Sequence, residues 1–184
     1  MNGTGSFSGN PKTEWLVDGS GADRNMALLE DFSYTDPDGR VWLAPQTSVV
    51  NGASIPPTLW GMVGSPYTGD YRRASIVHDV ACGDPAVSRK DADVMFYYAC
   101  LCGGCSWLHA SMLYAGVRIG AWAAAALPLS SPVRTTVLYR VPLQLNAEEG
   151  DVQTTFQSIV GELRRLPAGA SLRDLDGVID RHLI

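Results

Sequence analysis

YRRASIVHDVACGDPAVSRKDADVMFYYACL, residues 71–101, carries the strongest structural signal in this chain. Apolar residues recur at helical spacing in both halves, and Gly83-Asp84-Pro85 separates them because proline does not continue a helix. The first helix is predicted over Tyr71–Cys82. Ser88, with an acidic residue three positions later, resembles a capping box that opens the second. The stretch therefore predicts two consecutive helices joined by a short turn.

Strand signals precede this helix pair. Residues 32–45, FSYTDPDGRVWLAP, predict a β-hairpin around the turn Asp36-Pro37-Asp38-Gly39. Residues 46–70 contain several prolines and glycines, so they cannot form one regular element, but their large apolar side chains indicate an ordered, packed loop. The N-terminal part is therefore expected to be a β-hairpin region followed by an ordered loop.

The sequence after the pair continues the helical pattern. A third, long helix is expected to end near Pro128, and two amphipathic helices separated by Pro167-Ala168-Gly169 follow a linker. The predicted class is α+β, mostly α. The predicted division is a core over residues 1–128, holding the hairpin, loop and three helices, and a linker with a helical tail over residues 129–184.

Composition excludes several classes of function. The 184 residues are 46% hydrophobic and carry a net charge of −5, which indicates a folded core. Without a run of Lys or Arg, no nucleic-acid partner is expected. The start, MNGTGSFSGN, lacks the pattern of a Sec signal peptide, so we expect the producer's cytoplasm, or export by a route that needs no such peptide. Trp107–Leu129 is long enough to span a membrane, but its internal His109 and Arg118 favour a buried helix.

The candidate chemistry centres on His78-Asp79 in the first helix. His78 shares a face with small and apolar residues and is expected to point inward, while Asp79 lies about 100° round the helix. Adjacent helical side chains diverge, so His78 needs a carboxylate from another element, and Asp93 among apolar neighbours is the best candidate. A carboxylate on one ring nitrogen leaves the other to take a proton from water. The alternative is a hydrogen-bonded core histidine beside a surface aspartate.

The roles of other residues near this pair each have two interpretations. Cys82, one turn after His78, is either a nucleophile with a histidine base or a small buried thiol. Ser54 is expected to stabilise the loop or to hydrogen-bond near the His-Asp pair. Arg118 is expected to be a buried partner for Asp79 or Asp93. If it pairs with Asp79, it replaces a metal ion there.

The remaining cysteines are close together at Cys100, Cys102 and Cys105. With only Cys82 or His109 as a fourth ligand, this is not a standard zinc spacing. Free thiols at a helix–turn–helix corner are the favoured interpretation, with a disulfide as the alternative if the protein is exported.

Four motifs in order, NGASIPPTLW from Asn51, YRRASIVHD, RKDADVMFYYA and ASMLYAGVRIG, resemble the bacterial and phage family called domain of unknown function 1353. The resemblance covers roughly residues 30 to 122. The family pattern has Asp in place of Asn51 and Tyr in place of Cys82. The family name implies no activity.

The helix pair is also similar to the catalytic core of secretory and bacterial phospholipase A2 enzymes, where a His-Asp on one helix meets an Asp on the next. That resemblance implies His78 as general base, Asp93 as the residue that orients it, and Asp79 as a ligand of Ca²⁺. Asn51, Ser54, Cys82 and Arg118 would support the site. The substrate surface would comprise Leu59, Trp60, Met62 and Trp107.

These residues lead to three expectations of function. The first is a lipid-ester hydrolase of phospholipase A2 type that acts on a phospholipid membrane surface, as an antibacterial toxin or phage product. The second is a non-catalytic phage or secretion-system module, with a buried His-Asp-Arg network and C-terminal helices that bind an immunity or delivery protein. The third is a hydrolase acting on peptidoglycan through Cys82 and His78.

Overall fold

The computed structural model describes residues 3–17, 25–65, 68–125 and 149–183. Most of the predicted linker that begins at residue 129 lies outside the described residues. The architecture is the predicted α+β class and is mostly helical, with strands in the N-terminal part and helices in the C-terminal part.

The chain forms two compact units, and the boundary differs from the predicted one at residue 128. The first unit contains Met1–Ala53 and Pro66–Cys105, and the second contains Ser54–Ser65 and Ser106–Ile184. The third long helix therefore groups with the C-terminal helices. The physical reason is that the second unit's helices bury their apolar faces on one another.

Among the described residues of the first unit, six short strands form two antiparallel sheets. The sheet orders are β1-β4-β5 and β2-β3-β6. The strands are β1 Ser6–Phe7, β2 Thr13–Trp15, β3 Met26–Leu28, β4 Phe32–Thr35, β5 Val41–Ala44 and β6 Val49–Val50.

The predicted hairpin is confirmed as β4 and β5. Tyr34 lies opposite Trp42 with both side chains buried, while Val41 and Leu43 point to the other face and are exposed. Asp36 closes the turn, because its carboxylate accepts hydrogen bonds from the turn backbone and from the Trp42 indole. The alternation read from the sequence thus sets which face is buried.

Two helices of the first unit carry the candidate site. Helix α2 spans Arg72–Gly83 and helix α3 spans Arg89–Gly103, close to the predicted bounds. The Ser88 hydroxyl accepts a hydrogen bond from the backbone N–H of Asp91 and caps α3. Gly104, with a φ of 112°, adopts the left-handed conformation that ends the helix. The two helices pack on each other through their buried faces.

The second unit contains a 3₁₀ turn at Pro57–Leu59 and the short helix α1 at Trp60–Val63. Its longer helices within the described ranges are α4 Trp107–Ala125, α5 Glu149–Leu163 and α6 Leu172–His182. The apolar faces predicted for the two tail helices are buried, at Phe156, Ile159, Val160, Leu163, Leu175, Val178 and Ile179. Among the described residues, no helix has the length and apolar character needed to cross a membrane.

Candidate functional site

Helices α2 and α3 place a His–Asp pair in the interior of the first unit. His78 is fully buried, Asp93 is 1% exposed, and His78 Nε2 lies 2.8 Å from Asp93 Oδ1. The hydrogen bond expected between these two elements is therefore present. The Phe96 ring, one turn after Asp93, packs against the imidazole at 4.8 Å between centroids. This apolar cover strengthens the electrostatic interactions of the pair because it excludes water.

Arg89 is the cation of the cluster. Its Nε donates to Asp93 Oδ1 at 3.1 Å, and its side chain is 24% exposed. The prediction that Arg118 pairs with Asp79 or Asp93 is wrong, since Arg118 lies on α4 and forms ion pairs with two carboxylates of α6. The i,i+4 spacing of Arg89 and Asp93 on one helix was the available signal, because such residues are neighbours on the helix surface.

The α6 partners of Arg118 complete a second polar group in the other unit. Asp176 accepts hydrogen bonds from Arg118 Nη1 at 3.0 Å and from the Tyr114 hydroxyl at 2.6 Å. Asp180 accepts from Arg118 Nη2 at 2.7 Å. This arrangement joins α4 to α6, so the role of Arg118 is to connect helices within the second unit.

Cys82 lies beside the imidazole, one turn after His78 on α2. Its Sγ is 3.5 Å from His78 Nε2 and 3.8 Å from Nδ1. Cys82 is half-buried, so it connects a sealed histidine to the surface of the unit. Burial alone would lower the pKa of His78, but the Cys82 sulfur and the hydrogen bond to Asp93 outweigh it and raise this pKa from 6.5 to about 9.

Two polar atoms of the cluster have unmet hydrogen-bonding capacity. Among the residues that the structure describes, Asp93 Oδ2 and Arg89 Nη2 are buried without a hydrogen-bond partner. Buried polar groups are usually paired, because an unpaired one loses its hydration without compensation. The carboxylate of Asp93 thus has one oxygen engaged by His78 and Arg89 and another with spare acceptor capacity.

Asp79 points to a different neighbour from His78, as expected for adjacent helical residues. Its Oδ2 accepts a hydrogen bond from the backbone N–H of Asn51 at 2.7 Å. Next to it, Gly52 has a φ of 99°, a conformation that glycine adopts readily. Asp79 therefore holds the start of the loop onto α2 through the backbone N–H of Asn51.

The other predicted supporting and substrate-surface residues belong to the second unit. The carbonyl oxygen of Ser54 lies so close to Gly120 that a Cβ added to this glycine would be only 2.3 Å from it. The loop therefore touches the α4 backbone. Leu59 is fully buried, and the prediction that it forms part of a surface is wrong because its side chain fills the unit's core.

Three predicted surface residues are partly accessible. The indoles of Trp60 and Trp107 donate to the backbone carbonyls of Ile55 and Ala170. Met62 is 37% exposed and helps to line a pocket of about 390 Å³. The other residues lining this pocket are Met112, Phe156, Gln157, Val160, Gly161 and Arg164.

The cysteines at the end of α3 are free thiols, as predicted. Cys102 Sγ donates to the Gly5 carbonyl at 3.4 Å. Burial and a hydrogen bond with Cys105 raise the pKa of Cys100, while the same hydrogen bond lowers the pKa of Cys105. Among the described residues, these three cysteines do not form a candidate group for holding a metal ion.

A family model described as "Protein of unknown function (DUF1353)" matches residues 26–117, half of the chain. Two curated proteins of Sinorhizobium fredii are similar, the uncharacterized proteins y4jT and y4iH, each 35% identical to this chain. The matches cover 60% and 62% of this chain but only 32% and 45% of those two proteins, so the chain spans less than half the length of either. No solved structure matches.

Proposed function

The chain belongs to the DUF1353 family of proteins of unknown function, and we propose that it is a lipid-ester hydrolase of phospholipase A2 type. The observation that carries this proposal is the hydrogen bond from His78 Nε2 to Asp93 Oδ1 at 2.8 Å. With Nε2 held by Asp93, the other ring nitrogen, Nδ1, is left to accept a proton. The half-buried Cys82 lies beside the ring, with its Sγ 3.5 Å from Nε2 and 3.8 Å from Nδ1. A histidine oriented in this way is equipped to act as a general base.

In this mechanism His78 Nδ1 takes a proton from a water molecule as the water oxygen attacks the ester carbonyl. The imidazolium that forms is stabilised by Asp93, and Arg89 fixes the Asp93 carboxylate by donating to the same oxygen, Oδ1. The proton then passes from Nδ1 to the departing alcohol oxygen, and a fatty acid is released. Since the pKa of His78 is about 9, the basic form predominates only above that pH, and the rate should rise with pH up to it.

Calcium was the cofactor implied by the resemblance, with Asp79 as its ligand. Calcium takes six to eight oxygen ligands in proteins. Asp79 Oδ2 accepts the Asn51 N–H at 2.7 Å, which is compatible with a metal-binding carboxylate because such carboxylates commonly accept hydrogen bonds from the protein. The steps above are those of the chain's own residues, and a chelator arm in the assay tests the requirement for calcium.

A second candidate is a hydrolase acting on peptidoglycan through Cys82. It is favoured by accessibility, because Cys82 is half-buried whereas His78 is sealed. In this reaction the Cys82 sulfur attacks an amide carbonyl, and His78 transfers the thiol proton to the departing amine. Water then hydrolyses the thioester, and Asp93 again orients the imidazole.

A third candidate is a non-catalytic phage or secretion-system module that binds a delivery or immunity protein through its C-terminal helices. The complete burial of His78, with Asp93 at Nε2 and the Cys82 sulfur within 3.8 Å of both ring nitrogens, supports it. In that case the cluster fixes the register of α2 against α3.

The test is release of fatty acid from phospholipid vesicles, with calcium and with chelator, and cleavage of peptidoglycan in parallel. The variants are His78→Ala, Cys82→Ala and, as a matched control on the surface of α6, His182→Ala, each checked for folding by circular dichroism. We expect release to be lost in His78→Ala and retained in the other two. The conservative variant His78→Gln replaces His78→Ala if the latter unfolds.

Other outcomes assign the function differently. Peptidoglycan cleavage that is lost in both His78→Ala and Cys82→Ala would establish the cysteine hydrolase. No reaction on either substrate by folded wild-type protein would refute both hydrolases and support the binding module. Deletion of residues 149–184 should then abolish partner binding.

A further inference from the structure

The side chains of His78, Cys82 and Asp93 bring three different ligand types together in the first unit. A ring nitrogen, a sulfur and a carboxylate oxygen from these residues all lie within 4.8 Å of one another. We propose that they form a binding site for one divalent transition-metal ion of the zinc class. The site goes beyond the proposed hydrolase, because its existence does not depend on catalysis.

The spacing of the α2 ligands suits a tetrahedral ion. Zinc bonds to sulfur at about 2.3 Å and to imidazole nitrogen at about 2.0–2.1 Å, which in a tetrahedron separates the two ligand atoms by about 3.5 Å. The distance from Cys82 Sγ to His78 Nε2 is 3.5 Å. Because these residues are one turn apart on the same helix, the helix backbone sets this separation.

The unpaired oxygen of Asp93 is an independent observation that points to a ligand. Asp93 is 1% exposed, and its Oδ2 has no hydrogen-bond partner among the described residues. A cation bound by Oδ2 would compensate this carboxylate oxygen for its lost hydration. Meanwhile Arg89 Nε donates to Oδ1 and holds the carboxylate in place, as groups behind metal-binding carboxylates do.

The donor set selects the kind of metal. Calcium and magnesium take oxygen ligands, whereas a thiolate with an imidazole favours zinc and its transition-metal neighbours. On binding, the Cys82 thiol releases its proton to solvent, because the thiolate is the ligand. Three protein ligands leave a fourth position for water.

Occupancy of this site would change the His–Asp pair. An ion on His78 Nε2 replaces the hydrogen bond to Asp93, and the proton of the neutral ring then lies on Nδ1. The ring can no longer accept a proton there, so the metal-bound protein is the inactive form. This consequence rests on the proposed function, whereas the metal site itself does not.

Cobalt(II) is the probe, because a thiolate bound to it gives a charge-transfer band in the near ultraviolet. The full chain, reduced with a phosphine and freed of metal, is titrated with cobalt. The variants are Cys82→Ser and the matched control Cys102→Ser. In the wild-type protein the Cys102 thiol lies near the end of α3 and contacts the Gly5 carbonyl. We expect the band in wild type and in Cys102→Ser, its loss in Cys82→Ser, and its displacement by zinc.

Two results would overturn the site. One is a wild-type protein that shows no band with excess cobalt, and the other is a band of full intensity in Cys82→Ser. Both variants change only a thiol to a hydroxyl, and circular dichroism verifies that each is folded. Zinc inhibition of vesicle hydrolysis is a separate measurement. If no hydrolysis exists, the cobalt spectrum still decides whether the ion binds.

Discussion

Replacing Cys82 with alanine should lower the pKa of His78 and weaken the pH dependence of folding stability. After the opposing effect of burial, the Cys82 sulfur is the largest contribution to the raised pKa, ahead of the hydrogen bond to Asp93. Alanine removes this contribution and leaves the Asp93 interaction intact. We therefore expect the pKa of His78 to fall from about 9 toward 6.5.

The size of the effect follows from linkage between proton binding and folding. A pKa of about 9 in the folded protein and 6.5 in the unfolded chain corresponds to about 3 kcal/mol, at about 1.4 kcal/mol for each pH unit. Because the folded pKa is the higher one, this contribution is fully present below pH 6.5 and is lost as the pH rises to about 9. Each unit by which Cys82→Ala lowers the pKa removes about 1.4 kcal/mol of that dependence.

The assay combines urea unfolding between pH 6 and pH 9 with NMR titration of the His78 ring, all with chelator present so that no metal ion contributes. Cys102→Ala is the matched control, since it makes the same chemical change on α3, where the sulfur contacts Gly5. We expect the control to follow the wild-type curve. An unchanged His78 titration in Cys82→Ala, with parallel stability curves for the variant and wild type, would refute the reasoning.

Two further predictions concern the helices. Gly120→Ala places a Cβ 2.3 Å from the Ser54 carbonyl and should lower the free energy of unfolding by about 2–3 kcal/mol. Gly161 has open space around it, so Gly161→Ala should raise the free energy of unfolding by about 0.5–1 kcal/mol. Equal effects in thermal denaturation would contradict this. Ser88→Ala removes the α3 cap that accepts the Asp91 N–H and should cost about 1 kcal/mol, measured by urea unfolding; an unchanged midpoint would count against the cap.

Local signals in the sequence were sufficient for the helix pair and for its central contact. The proline at position 85 and the Ser88 cap set where α2 ends and α3 begins, because both act on backbone atoms within one turn. Helical periodicity turned His78 inward, and Asp93 lay among apolar residues of the next helix. With a short turn between the helices, these two polar residues had few other partners available.

Which cationic side chain pairs with Asp93, and what Asp79 contacts, could be determined only from the folded structure. Arg118 was a reasonable candidate by residue type, but a long cationic side chain pairs with whichever carboxylate its helix brings within reach. Packing of α4 with α6 brings Asp176 and Asp180 to it and leaves Asp93 to Arg89. The contact between Asp79 and the Asn51 N–H is set by the path of a loop, which no periodic pattern describes.

Periodic and capping signals act between residues a few positions apart, so they specify each helix and the face it buries. The rotation of one helix against another fixes distances of a few tenths of an ångström, and it depends on every side chain in the contact. That rotation places Asp93 Oδ1 2.8 Å from His78 Nε2 and leaves Asp93 Oδ2 without a hydrogen-bond partner among the described residues. The chain's residues thus specify which groups lie inside the helix pair, and packing alone brings those groups together into one cluster.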